Sequence, residues 1–155
     1  MTADVQAAPI QACNVTVDVI DTDPKGTNIR ETPGGRIVAM LPTPLNDDWI
    51  EVHVLGQSGD WFLIDSARQI GDNERLLFHG KGYLHRSMLG AQGLQNGTAV
   101  WTDHNARSRF LDPHASGDQD VDFLGCWGDF VKIRVQKKAT GWTQGLCLNQ
   151  RTTCP

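Results

Sequence analysis

Apolar and polar residues alternate with a period of two along several short stretches of this chain, the pattern of strands with one face on a core and one in water. Asn14-Val15-Thr16-Val17-Asp18-Val19-Ile20 alternates in this way. So do Trp49-Ile50-Glu51-Val52-His53-Val54-Leu55 and Phe130-Val131-Lys132-Ile133-Arg134-Val135. Ile37-Val38-Ala39-Met40-Leu41 and Trp61-Phe62-Leu63-Ile64 are shorter apolar runs. Turn chemistry separates them, in Asp21-Thr22-Asp23-Pro24-Lys25-Gly26, Pro33-Gly34-Gly35, Pro42 and Pro44, and residues 112–118. Apolar residues at helical spacing are nearly absent. The pattern predicts an all-β fold.

Two of these stretches are versions of each other. Leu55-Gly56-Gln57-Ser58-Gly59-Asp60-Trp61-Phe62-Leu63-Ile64 matches Leu124-Gly125-Cys126-Trp127-Gly128-Asp129-Phe130-Val131-Lys132-Ile133. Each is followed by a Gly-aromatic step, Gly82-Tyr83 and Gly141-Trp142, and then by Leu89 and Leu148. Ordered self-similarity of this kind predicts two small β units, residues 13–90 and 97–155, after a flexible start at 1–12. Asn105-Ala106-Arg107 aligns weakly with Asn28-Ile29-Arg30. Ile64 and Gly82 are 18 positions apart, whereas Ile133 and Gly141 are 8 apart. The excess, residues 65–81, reads as an extended hairpin arm, with 72–78 open to either a capped helical turn or more of the arm.

Composition narrows the partners. The net charge is −4 and basic residues are scattered, so the clustered positive field that nucleic acid requires is missing. No apolar run reaches the length of a membrane span. Residues 1–12 lack the basic start and apolar segment of an export signal, and the expectation is that such a signal was removed ahead of Met1. Cys13, Cys126, Cys147 and Cys154 have no metal-binding or dithiol spacing, so no metal and no cofactor is expected. An even cysteine count in small domains favours disulfides, with pairing left open, and hence a periplasmic or secreted location.

Thr27-Asn28-Ile29-Arg30 running to Pro33, then Gly59-Asp60-Trp61, then Gly82-Tyr83 running to Leu89, together resemble the bacterial SH3 (SH3b) domain family. Gly128-Asp129-Phe130-Val131-Lys132-Ile133 and Gly141-Trp142 resemble it a second time, with the Asn-x-Arg position blurred. The resemblance covers most of residues 14–150. It implies two tandem small SH3-like barrels, able to pack as one compact body, and a binding groove in each.

Nothing in the sequence assembles a catalytic centre. His53, His79, His85, His104 and His114 lack a nucleophile in a recognisable setting, and the Asp103-His104 neighbours do not supply one. His53 is expected to face away from Val52 and Val54 and to be exposed. The expectation is a non-catalytic exported binding module that recognises cell-wall peptide or peptidoglycan. The alternative is an envelope protein-protein interaction, of an inhibitor or immunity type. The candidate ligand residues that the resemblance implies are Asn28, Arg30, Trp61, Tyr83 and His85 in the first copy, and Trp127, Phe130, Trp142 and Gln144 in the second. Alternation and burial preference favour a core position for Trp61, Phe130 and Trp142. Trp127, in a turn beside Gly128, is the sharper ligand candidate, and Cys126 is placed to staple its loop. Residues shared by the copies are expected to build the fold, and unshared ones to carry function.

Overall fold

Along the stretch 49–58 every second side chain is removed from water: Ile50, Val52 and Val54 are buried while Glu51 and His53 are half-buried. The stretch 13–20 keeps that alternation as far as Val17 and then breaks it, with Asp18 buried and Ile20 exposed. The computed structural model describes residues 9–45, 47–137, 139–151 and 154, and of residues 110–119 the backbone alone. Its strands are β1 (Gln11–Val19), β2 (Thr27–Arg30), β3 (Ile37–Leu41), β4 (Trp49–Ser58), β5 (Trp61–Ile70) and β6 (Arg75–His85). A 3-10 turn at Arg86–Met88 follows, then β7 (Leu89–Trp101), β8 (Phe110–Trp127), β9 (Phe130–Val135), β10 (Ala139–Thr143) and β11 (Leu146–Cys147). The chain is all-β, in one large antiparallel sheet ordered β10-β9-β8-β7-β1-β4-β5-β6-β2-β3, with β11 on β7. β1 begins at Gln11, inside the segment expected to be flexible, and residues 1–8 lie outside the described residues.

The two copies use the same strand pairings in the same register. Ser58 faces Trp61 across Gly59-Asp60, and Trp127 faces Phe130 across Gly128-Asp129. Gly59 and Gly128 have φ of 60° and 56°, the left-handed geometry that a glycine in the first central position of a two-residue hairpin supplies. Ile64 pairs with Gly82, and Ile133 with Gly141. A methyl group on Gly82 would lie 2.3 Å from Ile29, so this strand crossing needs glycine. Arg30 pairs with Tyr83 of the first Gly-aromatic step, and Trp101 pairs with Trp142 of the second. The counterpart of Thr27-Asn28-Ile29-Arg30 is therefore Thr98-Ala99-Val100-Trp101, with Ile29 and Val100 both buried, and not Asn105-Ala106-Arg107. The latter residues lie in the turn beyond. In the first copy the excess residues form a hairpin in which Ser66 faces His79 and Gln69 faces Arg75, so 75–78 is strand rather than helix.

One hydrophobic cluster spans both copies, from Val17, Ile29, Val52, Phe62 and Leu84 to Val121, Phe123 and Ile133. The Phe62 and Phe123 rings, one from each copy, lie 4.4 Å apart. The repeated markers also touch directly. Gln57 accepts the Cys126 backbone N–H through its Oε1 at 3.0 Å and packs where a side chain on Gly125 would stand. Cys13 is bonded to Cys126, tying β1 to β8 across a separation of 113 residues. Cys147 is bonded to Cys154. Two disulfides fit an oxidising environment, extracellular or periplasmic. No helix among the described residues is long and apolar enough to cross a membrane.

Candidate ligand site

In β5 and β6 the core takes Phe62, Ile64 and Leu84, which turns Trp61, Leu63, Tyr83 and His85 to the opposite face. Trp61 lies directly across from His85, ring edge to ring face at 5.1 Å. Arg30 lies across from Tyr83 and donates from Nη1 to the Gly35 carbonyl at 2.8 Å, which fixes the Pro33-Gly34 turn. Gly34 comes near the Trp61 ring: a methyl group on it would stand 3.9 Å from Cζ2. Asn28 shares the half-buried face of β2 with Arg30. The first copy thus gathers all five expected residues on one outer face.

The second copy repeats the arrangement with more aromatic surface. Val131, Ile133 and Thr143 face the core, so Phe130, Lys132, Trp142 and Gln144 face out, and Trp101 joins them opposite Trp142. Trp61, Phe130 and Trp142 are consequently half-buried on the outer face rather than in the core. For Trp61 and Phe130 the reason is local: the residue directly after the Gly-Asp turn pairs with the residue directly before it, and the next residue along, Phe62 or Val131, is the one that enters the core. Trp142 faces out because its neighbours Gly141 and Thr143 take the buried face of β10.

Trp127 is 46% exposed at the tip of its hairpin. The tip is held against β1 by the Cys13–Cys126 bond, by the Asn14 N–H donating to Gly128 O at 2.7 Å, and by the Gly128 N–H donating to Ala12 O at 3.2 Å. The loop after Trp101 delivers His104 to it. The His104 ring stacks on Trp127 at 4.1 Å with 29° between planes, and meets Trp142 edge-on at 5.1 Å. Asp103 Oδ1 stands 2.6 Å from His104 Nδ1, off the line of a hydrogen bond, and Nδ1 is buried. The loop is fixed from within: Thr102 N–H donates to Arg109 O, Ser108 N–H to Asn105 O, and Arg107 N–H to Asn105 Oδ1. Lys132 Nζ lies 5.9 Å from the Trp142 ring centre, a cation–π approach. Gln144 donates from Nε2 to Asp129 Oδ2 at 2.8 Å.

His104 was not among the residues the sequence marked for binding. As a neighbour of Asp103 it reads as half of an acid–base pair; its place between two tryptophans follows only once Trp101 is aligned with Arg30. Beside Gln144 and Asp129 a cavity of about 210 Å³ opens between the copies, lined also by Asn14, Thr16, Leu146 and Leu148.

The packed cluster of Trp127, His104 and Trp142 offers ring surface, with the Gln144 amide, the Asp129 carboxylate and the Lys132 ammonium on the same face. Such rings bury large area at low entropic cost and suit recognition. His53 is half-buried rather than exposed, with Nδ1 2.8 Å from Asp65 Oδ1 and Nε2 2.5 Å from Asn14 Oδ1. Both ring nitrogens are therefore occupied by side chains of the protein. Among the described residues no group of three or more His, Cys, Asp or Glu side chains could hold a metal ion. No family model matches the chain, and neither does any curated protein or solved structure.

Proposed function

We propose that the chain is a non-catalytic, exported binding module built as two tandem SH3b-type barrels, and that it takes cell-wall peptide or peptidoglycan on the face carrying Trp127, His104 and Trp142. The observation that carries this reading is the preordered aromatic cluster: a half-exposed tryptophan whose hairpin is held by a disulfide and whose ring is stacked on a histidine. A ring ordered before the ligand arrives leaves less entropy to lose on binding. The barrel reading is supported by β10 pairing back onto β7, so that the circuit β7-β8-β9-β10 returns to its start. The disulfides fit the exported location.

A protein partner is the second reading, and one feature favours it. β3 ends the sheet path, and Ile37, Val38 and Met40 on it are 46%, 42% and 57% exposed. An apolar edge strand without charge is a template for a further strand.

Co-sedimentation with purified sacculi, followed by incubation with envelope extract, separates the two. The module should pellet with sacculi, and Trp127→Ala should weaken that by about tenfold or more, the cost of losing a central aromatic anchor. A chain that stays in solution with sacculi and captures one envelope protein stoichiometrically would overturn wall binding in favour of the partner.

A further inference from the structure

Beyond β11 the chain crosses the sheet as a strap. Cys147 lies opposite Gly93 on β7, the Gln150 side chain reaches Asp18 on β1, and Arg151 reaches the segment leading into β4. β7, β1 and β4 are consecutive in the sheet, so the strap moves from the second copy onto the first. Arg151 is its anchor. Its Nε donates to Asp47 O at 3.1 Å, Nη2 to Asp48 Oδ1 at 2.8 Å and Nη1 to Asp72 Oδ1 at 3.1 Å. The Asp48 side chain is fully buried there. Burial alone would raise its carboxyl, but the N–H groups of Asp72 and Asn73 and the amides of Gln69 and Asn73 outweigh that and hold it below the ordinary carboxylate range. Cys154 then returns to Cys147 and closes the strap into a loop.

Asp18, beneath the strap, has no backbone N–H or cation to hold it. It is fully buried, and the Gln150 side chain reaches its carboxylate without completing a well-formed hydrogen bond to either oxygen. Its register neighbours are Glu51 on β4 and Gly90 on β7. Glu51 is engaged by Trp49 Nε1–H at 2.9 Å, and Arg68 faces it from β5. Asp122, opposite Gly90 on β8, is held by Arg134 at 3.1 Å. Arg151 is committed to Asp48 and Asp72. Burial drives the Asp18 carboxyl up to about 8; the Gln150 side chain pulls it down and Glu51 pushes it up, both by less.

We propose that the strap, residues 148–151, is a pH-released cover over the seam between the copies: it lies closed while Asp18 is neutral and lifts to admit water when Asp18 ionises. A buried, unpaired carboxylate must gain solvent or stay protonated. The strap is the cheapest element to move, because β1 is fixed on both sides by ladders to β4 and β7 whereas residues 148–151 form no strand. They are held by the side chains of Leu148 on the core, Gln150 on Asp18 and Arg151 on the aspartates. The Cys147–Cys154 bond keeps the lifted strap tethered. Leu148 also lines the cavity beside Gln144 and Asp129, so lifting widens the groove next to the aromatic cluster.

Trypsin cleavage after Arg151 reports the opening, since the guanidinium it must bind is held by the three aspartates in the closed strap. The rate is read by mass spectrometry on the full chain and normalised to the same stretch as a free peptide. Between about pH 6 and pH 9 the normalised rate should rise by about tenfold or more, and Asp18→Asn should remove that rise. A flat normalised profile for the unaltered chain overturns the proposal, whether or not the variant folds. An equal rise in a folded Asp18→Asn variant overturns it too.

Discussion

Ser58 and Trp127 stand at the same position of two matched hairpins, immediately before a left-handed glycine, and differ in what they offer a ligand. In the first copy the turn over Trp61 is closed by Arg30 on Gly35, and the aromatic contact is to His85. In the second the loop past Trp101 is longer and carries His104 into the gap between Trp127 and Trp142. Asp18 is the other residue with an unusual position. Its carboxyl is ordinarily 3.8 and is raised to about 8 in the fold, so the native state holds a proton that the unfolded chain has lost. The stabilising contribution of the neutral Asp18 is then complete below pH 4, falls as pH rises between those two values, and is lost above pH 8, opposite in sign to that of Asp48. The loss amounts to about 1.4 kcal/mol per pH unit at most and is limited by opening of the strap. Urea unfolding across this range should show the decline in the unaltered chain and a much flatter profile for Asp18→Asn. Parallel profiles for the two proteins would show that Asp18 is not the group responsible.

At the scale of elements, the strands were the legible part of the sequence. Period-two alternation marked β1, β4 and β9, and the repeated Gly-Asp turns marked the hairpins that β4 and β8 open, because a left-handed glycine and a core-facing neighbour leave a local signature. The alignment of Asn28-Ile29-Arg30 with Asn105-Ala106-Arg107 followed side-chain identity. Pairing instead follows the core: Thr98-Ala99-Val100-Trp101 keeps Thr27 and Ile29 in kind and replaces Arg30 with a tryptophan. The outward turn of Trp61, Phe130 and Trp142 was missed because burial preference is an average, whereas hairpin register is decided residue by residue. The strap left no local trace at all. Its contacts join Gln150 to Asp18 and Arg151 to Asp48, residues more than a hundred positions apart, and no period or spacing encodes them.

At the scale of the molecule, the two copies share one core and are bonded covalently where that core meets the aromatic face. The Cys13–Cys126 bond joins residues 113 positions apart, and constraint of so long a loop in the unfolded chain is worth about 2–5 kcal/mol. Replacing both cysteines with serine should lower stability by about that amount in denaturant unfolding. The same change should loosen the hairpin tip that carries Trp127 and reduce ligand affinity. A double variant with unchanged stability and unchanged binding would mean that the tip needs no such brace.

The central claim is that the Trp127, His104 and Trp142 face is where a wall ligand is held. The most direct measurement is an NMR titration of the full chain with soluble muropeptides, following the indole N–H signals of the tryptophans. The signals of Trp127 and Trp142 should shift and saturate together, while that of Trp49, buried and bonded to Glu51, stays in place. Indole signals that all remain fixed at saturating muropeptide would contradict the account.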